Sequence, residues 1–185
     1  MAGREAGIDR VAVKARMVAL QKEIELRRTV EGLGEWWSEH FDTPFRLLGA
    51  VPTDAPERLA ELGPAVLEAA RAAATPTVMS ERDPQLVVPF EELWRGVAEV
   101  VTKLPEPGAE VTLVVREGDV LAALRMTGHQ FRASAEVWLT SEAGLHVLLF
   151  ADGTVLGLER DREYAPDGAP GDHVALWRGL PGTRS

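Results

Sequence analysis

The chain contains no cysteine among its 185 residues. That excludes disulfides, a thiol nucleophile and cysteine-ligated zinc or iron–sulfur sites. Asparagine is also absent. Glutamine occurs only at Gln21, Gln85 and Gln130, and lysine only at Lys14, Lys22 and Lys103. A GC-rich coding sequence produces this bias, as does avoidance of thermolabile side chains, and neither bears on function. No apolar run approaches the ~18 residues of a membrane helix. The first residues lack the apolar core of a secretory signal, and Glu5 and Asp9 speak against a transit peptide. A cytoplasmic protein is the expectation.

Catalytic and cofactor motifs are missing as well. There is no phosphate-binding glycine loop followed by Lys-Ser or Lys-Thr, no Gly-x-Gly-x-x-Gly after a strand and no Gly-x-Ser-x-Gly elbow. The histidines, His40, His129, His146 and His173, are dispersed without a metal-ligand neighbour at helical spacing. Glu35, Glu39 and His40 do not form His-Glu-x-x-His. Asp161, Glu163, Asp167 and Asp172 lack the alternating ligands of a calcium loop and read as solvated charge. No catalytic residue, cofactor or metal site is assigned, and the reading leans against an enzyme.

What is present is ordinary for a globular protein: 45% hydrophobic and 26% charged residues. The net charge of −9 is uneven. Residues 1–28 hold seven basic and four acidic side chains, a surplus of three, so the remainder carries −12. An acidic body disfavours nonspecific nucleic-acid binding and suits a basic protein partner.

The clearest pattern lies in the C-terminal half. Ala109 to Arg160 reads as an antiparallel β-meander. Segments 110–116 and 120–126 flank the turn Glu117-Gly118-Asp119, and Gly128 marks the next bend. Phe131, Ala133, Ala135, Val137 and Leu139 alternate with polar residues, predicting a half-buried strand. Ala151-Asp152-Gly153-Thr154 suits a two-residue type I′ hairpin. That turn sets Leu149 opposite Leu156 and Val147 opposite Leu158, so Leu145, Val147, Leu149, Leu156 and Leu158 share a face. A last strand is expected at 173–177. The polar face is then predicted to gather Arg125, Arg132, Glu136, Trp138, His146 and Phe150 as a partner surface, since aromatic residues and Arg are enriched at interfaces.

The N-terminal half reads as helices. Residues 8–32 are rich in helix formers, and Val13, Met17, Leu20 and Ile24 form an apolar stripe at spacings of 4, 3 and 4. This stripe is expected to pack on the body, with a projecting helix or a homodimer through 8–32 as the alternative. Arg27 and Glu31 end the seam. Gly32 and Gly34 are expected to break or bend the helix. Trp36 and Trp37 follow as a second candidate partner surface, one buried and one exposed. Thr53 to Glu57 begins a segment that Gly63-Pro64 interrupts, 75–84 reads as loop, and Phe90 to Leu104 reads as a core helix.

The expectation is an α+β fold spanning 1–185 as one unit. Helices in a half at 1–104 pack on a five- or six-stranded antiparallel β-meander at 109–178. The function expected is a non-enzymatic protein-interaction module: an adaptor, a specific chaperone, an immunity-type inhibitor or an assembly subunit. Two alternatives stand. One is a ligand pocket or enzyme site using His129, His146, Arg125, Arg132 and Glu136. The other is nucleic-acid contact through the basic N-terminal helix.

Overall fold

The computed structural model describes residues 10–41, 45–75, 86–92, 107–141, 144–161 and 171–179. Helix α1 (Arg10–His40) leads into β1 (Arg46–Pro52). A 3-10 segment (Pro56–Leu62) and α2 (Pro64–Ala74) follow, then β2 (Leu86–Pro89) with a short 3-10 turn (Phe90–Glu92). The hairpin β3 (Glu110–Glu117) and β4 (Val120–Thr127) precedes α3 (Gly128–Ser141). Strands β5 (Gly144–Phe150), β6 (Val155–Asp161) and β7 (His173–Arg178) complete the described elements. The fold is α+β, as the pattern predicts. The helix expected over 90–104 lies, beyond Glu92, outside the described residues.

Among the described residues seven strands make one antiparallel sheet, ordered β1-β4-β3-β5-β6-β7-β2. Five of them come from the expected meander half. The other two, β1 and β2, come from the helical half and close the two edges, which raises the count above five or six. The order is also not a plain meander. Strand β3 pairs with both β4 and β5, so β4 and β5 run parallel, and α3 carries the chain across β3 between them.

Both faces of the sheet are apolar. Val111, Leu113, Leu124, Met126, Leu148, Phe150, Leu158, Val174 and Leu176 form one core with Leu33, Trp37 and Phe131 from α1 and α3. Val114, Leu121, Ala123, Leu145, Val147, Ala175 and Trp177 form the other, with Val66, Ala69, Ala70 and Ala73 of α2. The three alanines let α2 approach closely.

Four sequence expectations fail for identifiable reasons. The strand expected at 131–139 is helix α3. Its start is a capping box: Thr127 N donates to Gln130 Oε1 (2.7 Å) and Gln130 N to Thr127 Oγ1 (3.2 Å). Two orphan donors are thereby satisfied, and Ser134 Oγ bonds back to Gln130 O at 2.8 Å. Phe131 and Ser134, three apart, are both buried.

The turn after β5 is a three-residue loop rather than a type I′ turn. Gly153 N donates to Phe150 O and Phe150 N to Thr154 O. Gly153 alone in this loop has positive φ, 86°, as in a type I turn closed by a glycine bulge. Pairing therefore shifts by one, with Leu149 opposite Val155 and Leu148 opposite Leu156. One step flips a strand's faces, so Leu156 and Leu158 sit opposite to the expected side. Just before β7, Asp172 is not simply solvated: Arg160 Nη2 meets its Oδ2 at 2.6 Å while the guanidinium covers the Phe90 ring at 3.8 Å.

Helix α1 runs unbroken through Gly32 and Gly34 for 31 residues. Neither glycine has positive φ, and a glycine at such a site costs only about 1 kcal/mol relative to alanine. Buried Leu33 and Trp37 outweigh that. A Cβ at either position meets nothing within 4 Å. Gly32→Ala and Gly34→Ala are each expected to stabilise the protein by about 1 kcal/mol, raising Tm by roughly 2–4 °C, read by thermal unfolding. A drop in Tm would mean that the glycines serve a bend. Conversely, Gln130→Ala is expected to cost about 1 kcal/mol by opening the capping box.

Candidate interaction surface

The C-terminal third of α1 is clamped to the sheet. Leu33 and Trp37 are buried, and Leu26, Val30 and Trp36 are half-buried. The Trp37 ring lies 4.4 Å from Phe41 and 4.7 Å from Phe45, while Trp36 stacks on His40 at 4.8 Å. His40 Nδ1 donates to Trp36 O at 2.8 Å, closing the last turn. The Trp pair is therefore an anchor more than a docking corner: Trp37 is 2% exposed.

The rest of α1 leaves the body. Val13 is 45% exposed, Met17 67%, Leu20 57% and Ile24 45%, so the stripe expected to pack inward does not. At about 100° per residue, it points about 140° away from the clamped Leu26, Val30, Leu33 and Trp37 line. The helix cannot bury both lines on one body, and the aromatic end wins. Around the stripe, residues 10–22 carry Arg10, Lys14, Arg16 and Lys22 and no acidic side chain.

A cleft of about 310 Å³ opens where this arm leaves the sheet. Lys22, Glu25 and Leu26 line it from α1, Pro52 to Asp54 from the end of β1, and Asp119 and Val120 from the β3–β4 turn. Thr53 N donates to Asp119 O at 2.9 Å, tying the two loops together. Lys22 forms an ion pair with Asp54. The hydrogen bond, then the charge, raises the Lys22 pKa and lowers that of Asp54. Both groups are exposed, so the pair contributes little to stability.

The residues predicted as one polar face are dispersed. His146 and Phe150 lie buried on the α1–α3 side of β5. Arg125 lies on β4 toward the α2 side, with its Nε 2.8 Å from Glu110 Oε1. Arg132 is exposed on α3. Glu136 and Trp138 belong to α3, and their side chains lie outside the described residues. The cause is the helix at 128–141: its residues do not sit in the sheet, and the sheet separates Arg125 from His146. For the pocket reading, His129 is exposed at the start of α3, and the cleft contains none of the five candidates. Among the described residues no group of three His, Cys, Asp or Glu side chains is placed to hold a metal, and no helix is long and apolar enough to cross a membrane.

The sequence reading missed the cleft residues Asp54 and Asp119, because they join only through loop contacts. It also missed Glu159, buried on the α2 side through the one-residue shift of β6. The stripe itself was visible; its exposure was not.

His146 gives a test of this placement. Burial pushes its imidazole from 6.5 down to about 4. It is neutral in the folded state at pH 7, while the unfolded chain titrates near 6.5. Between these values the unfolded state binds the extra proton. Stability is therefore complete above about pH 6.5 and declines toward pH 4, by on the order of 3 kcal/mol in total. His146→Leu is expected to remove that slope in denaturant titrations at about pH 7 and about pH 4.5. Equal slopes in both proteins would contradict a buried neutral histidine.

In comparisons with known proteins, no family model, no curated protein and no solved structure matches this chain.

Proposed function

We propose that the protein is a non-enzymatic interaction module that docks a protein partner through α1. The supporting observation is the exposed line Val13, Met17, Leu20 and Ile24. Single exposed apolar residues are ordinary on protein surfaces. Four large ones at spacings of 4, 3 and 4 on one helix form a continuous seam, the kind that helix-in-groove recognition reads as anchors.

The charge at this site differs from that of the whole chain. Net −9 points to a basic partner, but the seam is bordered by Arg10, Lys14 and Arg16, while Lys22 turns to the other side of the helix and pairs with Asp54. Acidic side chains on the surface that meets the seam complement this border. This moves the docking site from the β-sheet and the Trp36–Trp37 corner to the arm.

Leu20→Glu is the direct test, because Leu20 is 57% exposed and its replacement leaves the folded core intact. Tagged wild-type and variant chains are recovered from the native host and their co-purifying proteins identified by mass spectrometry, a second copy of the chain included. A stoichiometric partner held by the wild type and lost by the variant is expected. Recovery of no partner, or of the same partner by both chains, would remove α1 as the docking element.

A further inference from the structure

We propose that the occupant of the α1 seam is the seam of a second copy of this chain, running antiparallel. This rests on the reading of α1 as the docking element. The first argument is spacing. Steps of 4, 3 and 4 read the same in both directions. An antiparallel copy therefore keeps all four side chains in register, with Val13 opposite Ile24 and Met17 opposite Leu20. That gives four apolar layers about a two-fold axis passing between Val18 and Ala19. A two-fold interface requires such self-complementarity, and an unrelated partner does not.

Charge decides the direction. Residues 10–22 hold four basic and no acidic side chains, whereas Glu23 and Glu25 begin the acidic end of the helix. In the antiparallel arrangement Lys14 comes level with Glu23 of the second copy. Arg16 and Glu23 occupy the flanking positions that face each other across the seam. Each basic tip reaches toward the other copy's acidic body, and the two bodies, −12 apiece outside residues 1–28, stand at opposite ends. A parallel pair sets both basic tips together and both acidic bodies together. Arg10 and Arg27 meet at each end of the antiparallel seam and limit it to four layers. On its own helix Arg27 is four residues from both Glu23 and Glu31, a spacing that moderates the repulsion.

Extent sets the strength. The overlap of residues 10–27 is about 27 Å long. With four apolar layers on one helix per copy, the seam is small for a stable interface. The dimer is therefore concentration-dependent, half-dissociating at about micromolar concentration. No described element of the chain covers the seam in the monomer.

Two measurements test this. Light scattering of the full chain from about 1 to about 500 µM is expected to show the mass rising from monomer to dimer. Leu20→Glu is expected to weaken the dimer at least about a hundredfold, because symmetry removes two leucines, with unchanged helical circular dichroism. The absence of native cysteine then allows the direction to be read. Val13→Cys and Ile24→Cys chains are mixed under mild oxidation, and the crosslinked 13–24 heterodimer is expected to dominate. Crosslinks of 13 to 13 and 24 to 24 would overturn the antiparallel register. A wild-type chain that stays monomeric, or a dimer untouched by Leu20→Glu, would overturn the proposal. If such a monomer still loses a different co-purified protein on Leu20→Glu, or binds anionic vesicles through the seam, the second copy is excluded. The former outcome leaves α1 standing as a protein-docking element and the latter does not.

Discussion

A sheet with apolar side chains on both faces must be covered on both faces, and the arrangement of this protein follows from that requirement. Leu113, Leu124 and Leu148 on one side and Val114, Leu121 and Val147 on the other are each at most 1% exposed. At about 25 cal/mol per Å² of apolar surface removed from water, these six side chains outweigh any surface ion pair in the molecule. Helix α2 supplies one cover, with a row of alanines that allows close approach. The other cover comes from α3 and the last turns of α1. Covering the second face needs only the end of α1, so the remaining turns of this helix have no sheet beneath them. The exposed arm is thus a geometric result of where the sheet stops.

The topology serves the same end. Returning directly from β4 to β5 would have made a plain meander with its first face open. Instead the chain crosses β3 through α3, and Phe131 joins the core that Leu33 and Trp37 complete. The edges are closed by strands from the other half of the sequence. In β1, the register slips between Leu47 and Gly49, a bulge that limits further pairing at an edge. In β2, only four residues pair, and Pro89 ends the strand.

Much of this was legible in the residues, and the failures have local causes. Strands β3, β4, β5, β6 and β7 follow from alternation and from turn glycines, and the interruption at Gly63-Pro64 follows from backbone chemistry. Alternation misled at 131–139, because Phe131-Ala133-Ala135 has period two while Thr127-Gly128-His129-Gln130 carries a capping box. The box is a specific signal of helix initiation, whereas small alanines fit either structure. At the hairpin after Phe150, Asp-Gly fits two loop lengths, and only the structure shows the bulge that reverses β6. Edge strand β1 is as long as β5 but is interrupted by a bulge at Gly49 and ends at Pro52, and β2 has only four residues ending at Pro89, so no periodicity could build up in either. Of the proposed partner residues, His146 and Phe150 belong to the core because face assignment depends on what lies above the sheet. The seam at 13–24 was plain as a pattern, but an amphipathic pattern does not say whether its cover is the same chain or another.

The arm also has a folding consequence. A helix segment of about fifteen residues without tertiary contacts is marginal in water, because nucleation is costly. Here nucleation is already supplied by the clamped end at Leu33 and Trp37, and the arm has only to propagate through good helix formers such as Ala15, Ala19, Leu20 and Lys22. Propagation without packing has an equilibrium constant near unity per residue, so the tip at Arg10 is held more weakly than the base. The Lys22–Asp54 pair fixes the arm at one exposed point and adds little energy. A partner docked on the seam would add the packing that propagation lacks. Binding and the stability of the arm would therefore be coupled: a partner covering Val13 to Ile24 would also hold the helix more firmly at Arg10, and a change at Leu20 would act on both.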